Sequence, residues 1–221
     1  MKKIYLDQAS TTFPKPECVA KAVYEYMTGN GSNINRGCYE NAYDTEEVVL
    51  ETRELLCELF DGTDCKNVIF TKNVTESLNI VLKGFLKPGD HILTSSMEHN
   101  AVMRPLRQLE EAGITFNRIP CNEQGELLLE TMEGLLKANT KAVVMMHASN
   151  VCGTMMPIFQ VGEFCKKHGL LLFGTICHNG TPENENENRF HYRDENGKVK
   201  NFIICEKCRE KDCKRGKNRV R

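Results

Sequence analysis

The chain has 221 residues, with 29 lysines and arginines against 30 aspartates and glutamates. The net charge of -1 gives no overall attraction to nucleic acid or to a membrane surface, and no apolar run approaches the length of a membrane span. The start, MKKIYLDQASTT, has no long apolar core behind its lysines and is not typical of a signal peptide. Eleven cysteines without an export signal indicate free thiols in a reducing, cytoplasmic compartment.

Two helices are predicted in the amino-terminal part of the chain. Apolar residues recur at helical spacing between Val19 and Met27, after two prolines that a first helical turn tolerates. A longer helix has its apolar residues mostly on one side between Val48 and Phe60, and Asp61-Gly62 ends it. The segment 29–39 that joins the two helices is too polar for a core element.

The central stretch 67–102 predicts alternating strands and helices. An apolar run at 68–70 is typical of a strand, and a helix with Leu78, Val81 and Leu82 on one face follows it. A turn of Lys-Pro-Gly-Asp composition leads to a second strand that begins at His91. Polar loops therefore follow two apolar strands, at the end of a parallel sheet where ligands bind.

The first of these loops has the features of an anion site. Asn73 stands where the helix begins and Glu76 follows three residues later, as in a capping box. Val74 and Thr75 then lie in the first turn, where backbone N–H groups are free and the helix dipole is positive. The Thr75 hydroxyl is a further donor to a phosphate oxygen. The alternative interpretation is that Asn73 and Thr75 only complete the helix end.

The alternation continues to Phe173. Continuous apolar runs of this kind are typical of parallel strands buried on both faces, and the intervening segments have helical periodicity. The predicted fold is therefore α/β, a mostly parallel sheet flanked by helices. The further predicted strands are 114–119, 142–146 and 170–173, and the further helices are 103–112, 128–136 and a segment around 161–165.

Two loop residues add candidate ligand contacts. His99 follows the strand that begins at His91, and it offers an aromatic ring with two polar nitrogens. Asn150 lies in the loop after the run Ala142-Val143-Val144-Met145-Met146. Each residue also has an ordinary explanation, because a lone loop histidine is usually solvated and an asparagine near a glycine is usually a turn residue.

Five segments, in order and in register, carry a family resemblance: YLDQASTT, SNINRGCYENA, NVTESLN, MEHNAV and HASNVCG. Over about residues 3–173 the chain resembles the amino-terminal half of a class V pyridoxal-phosphate enzyme, a cysteine desulfurase or selenocysteine lyase. The resemblance implies that residues 1–173 are an incomplete large domain of a PLP-dependent transferase. Residues 174–221 then form a polar linker and a basic, poorly ordered tail.

The resemblance also implies roles for the loop residues. Thr75 and the backbone of Val74 correspond to the binder of the phosphate of pyridoxal 5'-phosphate. His99 corresponds to the catalytic histidine that stacks on the pyridine ring and assists proton transfer, and Asn150 to the asparagine that hydrogen-bonds the ring hydroxyl. The implied reaction removes sulfur from cysteine or a related amino acid, giving alanine and a persulfide. The family also implies a homodimer for the complete protein.

The chain departs from the family pattern after Phe173. The family carries an aspartate that pairs with the ring nitrogen there, whereas the run 174–180 contains none. No histidine is followed by a lysine, so the lysine that holds the cofactor covalently has no counterpart, nor has the small domain with the sulfur-accepting cysteine. These departures predict a truncated and impaired enzyme, or alternatively a non-catalytic remnant or binding module of the same fold.

The last residues form a different kind of sequence. The run 181–188 is polar and of low complexity, and 205–221 is basic. Cys205, Cys208 and Cys213 have a spacing that allows a shared zinc ion, with His191 as a possible fourth ligand, although a second C-x2-C pair is absent. The alternatives are a zinc-binding tail that contacts nucleic acid and a solvated basic tail with free thiols.

Overall fold

The computed structural model describes residues 4–5, 11, 13–35, 37–60 and 62–176, together with the backbone of 202–204. The described residues up to Ile69 belong to one compact unit, and those from Phe70 onward belong to a second. Within this described part, no helix combines the length and the apolar character that crossing a membrane requires. The predicted linker at 181–188 and the cysteines of the predicted tail lie outside the described residues.

The first unit contains both predicted helices. Helix α1 covers Glu17–Glu25 and continues as a π-helical turn, Tyr26–Asn30. Helix α2 covers Glu40–Leu59, so it begins about two turns before the apolar stripe that predicted it. Its first turn carries Glu40, whose negative charge is favourable at the positive end of the helix dipole. A short 3-10 turn, Cys65–Asn67, follows it.

The thiols follow the sequence prediction with one correction. Six cysteines of the described residues are free: Cys38, Cys57, Cys65, Cys121, Cys152 and Cys165. Cys18 is disulfide-bonded instead, so the prediction of free thiols is wrong at this residue. Composition and spacing do not show which sulfur atoms meet in the folded chain, and this is why the prediction failed.

The second unit contains a parallel sheet flanked by helices, as the sequence predicted. The strand order is β2-β1-β3-β4-β5, and every neighbouring pair is parallel. The strands are β1 His91–Ser95, β2 Thr115–Ile119, β3 Thr140–Met146, β4 Leu171–Ile176 and β5 Phe202–Ile204. The helices are α3 Val74–Phe85, α4 Asn100–Glu110, α5 Met132–Leu135 and α6 Ile158–Lys167.

Alternation along the central strand produces two separate cores. Ala142 and Val144 point to one face, where they pack with buried residues of α3 and α4. Val143 and Met145 point to the other face, where they pack with buried residues of α5 and α6. Because both faces are covered, β3 is almost continuously buried, and this explains why its sequence is an unbroken apolar run.

Two predicted elements differ from the structure. Residues 68–70 are not a strand; Ile69 is 71% exposed and Phe70 is 48% exposed. A short apolar run becomes a strand only when a neighbouring strand completes its hydrogen bonds, and periodicity does not reveal whether that partner exists. The predicted helix at 128–136 is reduced to a 3-10 turn, Leu129–Thr131, and the single turn of α5.

A buried histidine joins three strands near their amino ends. The Nε2 atom of His91 lies 2.8 Å from Asn117 Oδ1, which can only accept, so the ring proton is on Nε2. Nδ1 therefore accepts the Thr140 hydroxyl proton at 2.8 Å, while Thr140 Oγ1 accepts the Lys137 N–H at 2.8 Å. Burial lowers the pKa of His91 below its usual 6.5. The folded protein therefore favours the neutral ring.

We predict that His91 makes the unfolding free energy depend on pH. Because folding lowers the pKa of His91, the stability that His91 contributes is present above pH 6.5. It is lost as the pH falls through the lower pKa that His91 has in the folded protein. His91→Gln should cost about 1–3 kcal/mol at pH 7.5, because buried hydrogen bonds are lost. Urea unfolding between pH 7.5 and 5 should then show a shallower loss of stability than in the wild type.

His168→Gln is the comparison variant for this measurement, because it makes the same chemical change at a partly exposed histidine beside Glu133 and leaves the His91 hydrogen bonds intact. The flattening of the pH profile should be larger in His91→Gln than in His168→Gln. An equally steep loss of stability in His91→Gln would show that other groups produce the acid sensitivity.

Candidate functional site

The parallel sheet collects several loops at one edge. Because all strands run the same way, the carboxyl ends of β1 and β3 are neighbours. The loop 96–99 leaves β1 there, and the turn 147–154 leaves β3 there. Helix α3 packs on the sheet and reaches β1 through the short turn 86–90, so its first turn also lies at this edge. The four predicted site residues therefore belong to loops and helix ends on one side of the sheet.

The start of α3 is capped by its own side chains. Asn73 Oδ1 accepts the Glu76 N–H at 2.9 Å, which confirms the predicted cap. Glu76 Oε2 in return accepts the Lys72 N–H at 2.8 Å, one residue before the usual partner of a capping box. The Thr71 hydroxyl lies 2.6 Å from Ser77 Oγ and holds the preceding loop against the helix. The first turn is therefore fixed before any ligand arrives.

Two backbone donors of that turn have no partner. In the described part of the chain, the N–H groups of Val74 and Thr75 make no hydrogen bond. Thr75 is exposed, and its carbonyl accepts from the Asn79 side chain at 2.9 Å, while its hydroxyl stays available. Two N–H groups and a hydroxyl at the positive end of a 12-residue helix can bind an anion such as a phosphate.

His99 has a structural contact that the sequence did not reveal. It is the N-cap of α4, and its Nδ1 accepts the Ala101 N–H at 3.0 Å. In the neutral ring the proton is therefore on Nε2. The residue is exposed, so one face of the ring and the Nε2–H group are accessible to a ligand.

Asn150 lies in a turn that other groups hold. Ser149 Oγ accepts the N–H groups of Val151 and Cys152 at 3.3 and 3.4 Å, and the Ser149 carbonyl accepts from Gly153 at 3.0 Å. The positive φ of 77° at Gly153 suits glycine and closes the turn. Asn150 itself is exposed, so its amide remains available for a ligand.

Cys152 stands two residues after Asn150 and is the most acidic thiol of the region. Hydrogen bonds from Ser149 and Thr154 lower its pKa to about 7, and the Thr154 hydroxyl lies 3.3 Å from its sulfur. Burial has the opposite effect on Cys165, raising its pKa to about 12. Cys165 thus behaves as a small core residue.

Glu98 is the residue that the sequence prediction passed over. Its Oε1 accepts the Ser95 hydroxyl at 2.6 Å and the Met146 N–H at 2.9 Å. Its Oε2 is shielded from solvent and has no hydrogen-bond partner among the described residues. Burial raises the pKa of Glu98 from 4.5 to about 7, so ionising the carboxyl costs roughly 3 kcal/mol more than in water. The sequence signal that could have identified Glu98 is a carboxylate in the short loop that follows the buried strand β1.

The described residues offer neither a carboxylate at the end of β4 nor a cluster of metal ligands. Strand β4 ends with Gly174, Thr175 and Ile176, none of which has a carboxylate. Within the described ranges, no cluster of three or more histidine, cysteine or acidic side chains is arranged to hold a metal ion. The zinc hypothesis for Cys205, Cys208 and Cys213 concerns residues outside those ranges.

Comparison with known proteins gives a family for most of the chain. Residues 4–174 match the family model described as aminotransferase class V. A cysteine desulfurase IscS from Shewanella sp. (strain MR-4) is 34% identical over 174 residues, which cover 76% of this chain and 43% of that protein. A probable cysteine desulfurase from Mycolicibacterium paratuberculosis is 32% identical over 171 residues, covering 75% of this chain and 25% of that protein.

The fold agrees with these sequence matches. The apo structure of a cysteine desulfurase from Thermococcus onnurineus NA1 superimposes with a TM-score of 0.73 at 27% identity, covering 80% of this chain and 44% of that one. The chain thus spans less than half the length of these relatives. The family match covers β1, β2, β3 and the first four residues of β4, together with every predicted site residue. The chain therefore belongs to the class V aminotransferase family, whose members depend on pyridoxal phosphate.

Proposed function

We propose that this chain binds pyridoxal 5'-phosphate at the carboxyl edge of the sheet and is a cysteine desulfurase-like protein with impaired activity. Cysteine is its proposed substrate, and sulfur removal to give alanine and a persulfide is the reaction of the complete enzyme type. The single observation that supports the proposal best is the first turn of α3. Its N–H groups at Val74 and Thr75, which have no partner among the described residues, stand in a segment that matches the family.

The residues present fit the phosphate end of the cofactor. The capping contacts of Asn73 and Glu76 hold the first turn open, so no reorganisation is needed when an anion binds. Val74 and Thr75 would donate two backbone hydrogen bonds, and the Thr75 hydroxyl would donate a third. Hydrogen bonds to a charged group are stronger than neutral ones, and the helix dipole adds to them.

The residues present also fit two sides of the pyridine ring. We assign the exposed ring of His99 to stacking on one face, since its Nδ1 is occupied by the Ala101 N–H and its orientation is thereby fixed. The Nε2–H of His99 is then the group that can hold or transfer a proton. We assign the Asn150 amide to the ring hydroxyl, because the turn does not use it.

Pyridoxal phosphate, when bound, withdraws electrons from the substrate's α-carbon, a chemistry that protein side chains lack. The protein must hold the cofactor, keep its ring nitrogen protonated and move protons. Thr75, His99 and Asn150 are candidates for non-covalent binding, and His99 is the candidate for proton transfer. The run 174–180 has no aspartate for the ring nitrogen, and no His-Lys pair supplies the lysine that would hold the cofactor covalently. For that reason we propose impaired catalysis.

The missing carboxylate and lysine also favour a second candidate function. In this alternative the chain is a non-catalytic binding module, which keeps the phosphate contacts and binds the cofactor reversibly. The two candidates share the site and differ in chemistry. A zinc-binding tail that contacts nucleic acid rests on residues outside the described ranges and stays a prediction.

The first prediction concerns the phosphate. Thr75→Val keeps the shape of the side chain but removes the hydroxyl, so it should weaken pyridoxal phosphate binding by roughly tenfold or more, as expected for a hydrogen bond to a charged group. Fluorescence titration of the purified chain measures the dissociation constant. Binding of pyridoxal, which lacks the phosphate, should change little.

Thr115→Val is the matched control, because Thr115 is an exposed threonine at the amino end of β2, across the sheet from the site. It should bind the cofactor as the wild type does. The phosphate assignment fails if Thr75→Val binds as tightly as this control, or loses affinity for pyridoxal to the same extent.

The second prediction concerns turnover. Supplied with pyridoxal phosphate and cysteine, the 221-residue chain should release sulfide no faster than the free cofactor does, while a complete cysteine desulfurase run in parallel releases it rapidly. Borohydride reduction followed by peptide mass spectrometry should label several lysines partially. One lysine labelled stoichiometrically, together with sulfide release, would show that another lysine has taken the role and that the chain is an active enzyme.

A further inference from the structure

We propose that Glu98 is a positioning residue of the candidate site, whose buried carboxyl clamps the loop carrying His99 to the end of β3. This inference rests on the proposed function, because the loops that it joins carry the proposed ring contacts. Neither the family roles stated for the site nor the capping contacts of α3 and α4 include this carboxyl. The clamp is defined by three groups: Glu98, the Ser95 hydroxyl and the Met146 N–H.

The clamp supplies an acceptor for a backbone N–H group of β3 that lies beyond the end of β1. The β1–β3 ladder ends at the pair Thr94 and Val144. Met146 lies beyond it and would have no acceptor on the β1 side, at a position where the backbone is buried. Glu98 Oε1 accepts this N–H at 2.9 Å and so continues the connection between the strands after β1 has ended.

The same oxygen also fixes the loop to its own strand. The Ser95 hydroxyl, at the last residue of β1, donates to Oε1 at 2.6 Å. The next residue after Glu98 is His99, which caps α4 through Nδ1. His99 is therefore held on one side by the helix that it caps and on the other side by the clamp. Asn150 is only four residues beyond Met146, so both proposed ring contacts depend on the same junction.

The protonation state of Glu98 should alter this clamp. Both donors point at Oε1, so the proton of the neutral acid belongs on Oε2, which is shielded and has no partner among the described residues. The neutral acid keeps both hydrogen bonds without a buried charge. The ionised form shares its charge between both oxygens, and among the described residues no hydrogen bond stabilises the share on Oε2. Ionisation therefore favours entry of water or movement of the carboxylate out of the clamp.

The raised pKa of about 7 determines how the contribution of Glu98 to stability changes with pH. This contribution is fully present below pH 4.5, the pKa of the carboxyl in the unfolded chain, and it is lost as the pH rises through about 7. The other titratable groups near this junction are His99, next in the chain, His147, which follows Met146 and is buried, and Cys152, whose thiol has a pKa lowered to about 7. A valid test must separate Glu98 from these three groups.

Amide NMR on the chain without cofactor provides that test. The Met146 N–H reports on the clamp, and the Ala101 N–H reports on the adjoining His99 cap. Titration from pH 5 to 9 is compared among the wild type, Glu98→Gln and Glu98→Ala. Glu111→Gln is the matched control, since Glu111 is exposed at the opposite end of α4 and undergoes the same chemical change.

In the wild type and in Glu111→Gln, the Met146 amide proton shift should inflect near pH 7, and the Ala101 amide should follow. Glu98→Gln should lack this inflection, because the amide keeps an acceptor oxygen and cannot ionise. Its shifts should resemble those of the wild type at low pH, which also shows that it is folded. Glu98→Ala should shift both amides at every pH.

Two results would overturn the clamp. One is a wild-type Met146 amide that does not titrate between pH 6 and 8. The other is an inflection that survives in Glu98→Gln, because it would then belong to His99, His147 or Cys152. The cofactor gives an independent readout: pyridoxal phosphate affinity should weaken more with rising pH in the wild type than in Glu98→Gln. If no variant binds the cofactor, the proposed function fails, and the amide titration still decides the clamp.

Discussion

Parallel pairing of β1 with β3 is the constraint on which the rest of the second unit depends. It brings the carboxyl ends of two buried strands together, and with them the loop of His99 and the turn of Asn150. Helices that return along the sheet then begin at the same edge, so backbone donors at the start of α3 face the same side. Strand direction accounts for this placement at one edge, and the positive φ at Gly153 then closes the turn of Asn150.

The phosphate end and the ring end of the proposed cofactor site differ in the contacts that they offer. The phosphate end is complete in its described contacts, with a capped helix, two unpartnered N–H groups and an exposed threonine hydroxyl. The ring end has His99 and Asn150 but no carboxylate at the end of β4. Glu98 is the buried carboxyl at this edge, and its contacts are to the protein itself. This distribution is the basis on which we propose impaired catalysis.

The features that could be predicted from the sequence are those that depend on the local pattern of residue types. The cap at Asn73, the buried run of β3 and the fold class follow from side-chain types and periodicity, and the structure agrees with them. Residues 68–70 were misread because a strand needs a partner far away in the sequence. Glu98 was missed because its importance arises from Ser95 and Met146, and the contact with Met146 spans 48 positions. The disulfide at Cys18 was missed because composition and spacing do not show which sulfur atoms meet in the folded chain.

The central claim is that the first turn of α3 binds the phosphate of pyridoxal phosphate. A crystal structure of the 221-residue chain grown with the cofactor tests it most directly. In that crystal we expect phosphate oxygens within hydrogen-bond distance of the N–H groups of Val74 and Thr75, with the pyridine ring beside His99. Cofactor bound elsewhere, with the first turn of α3 contacting only solvent, would contradict it.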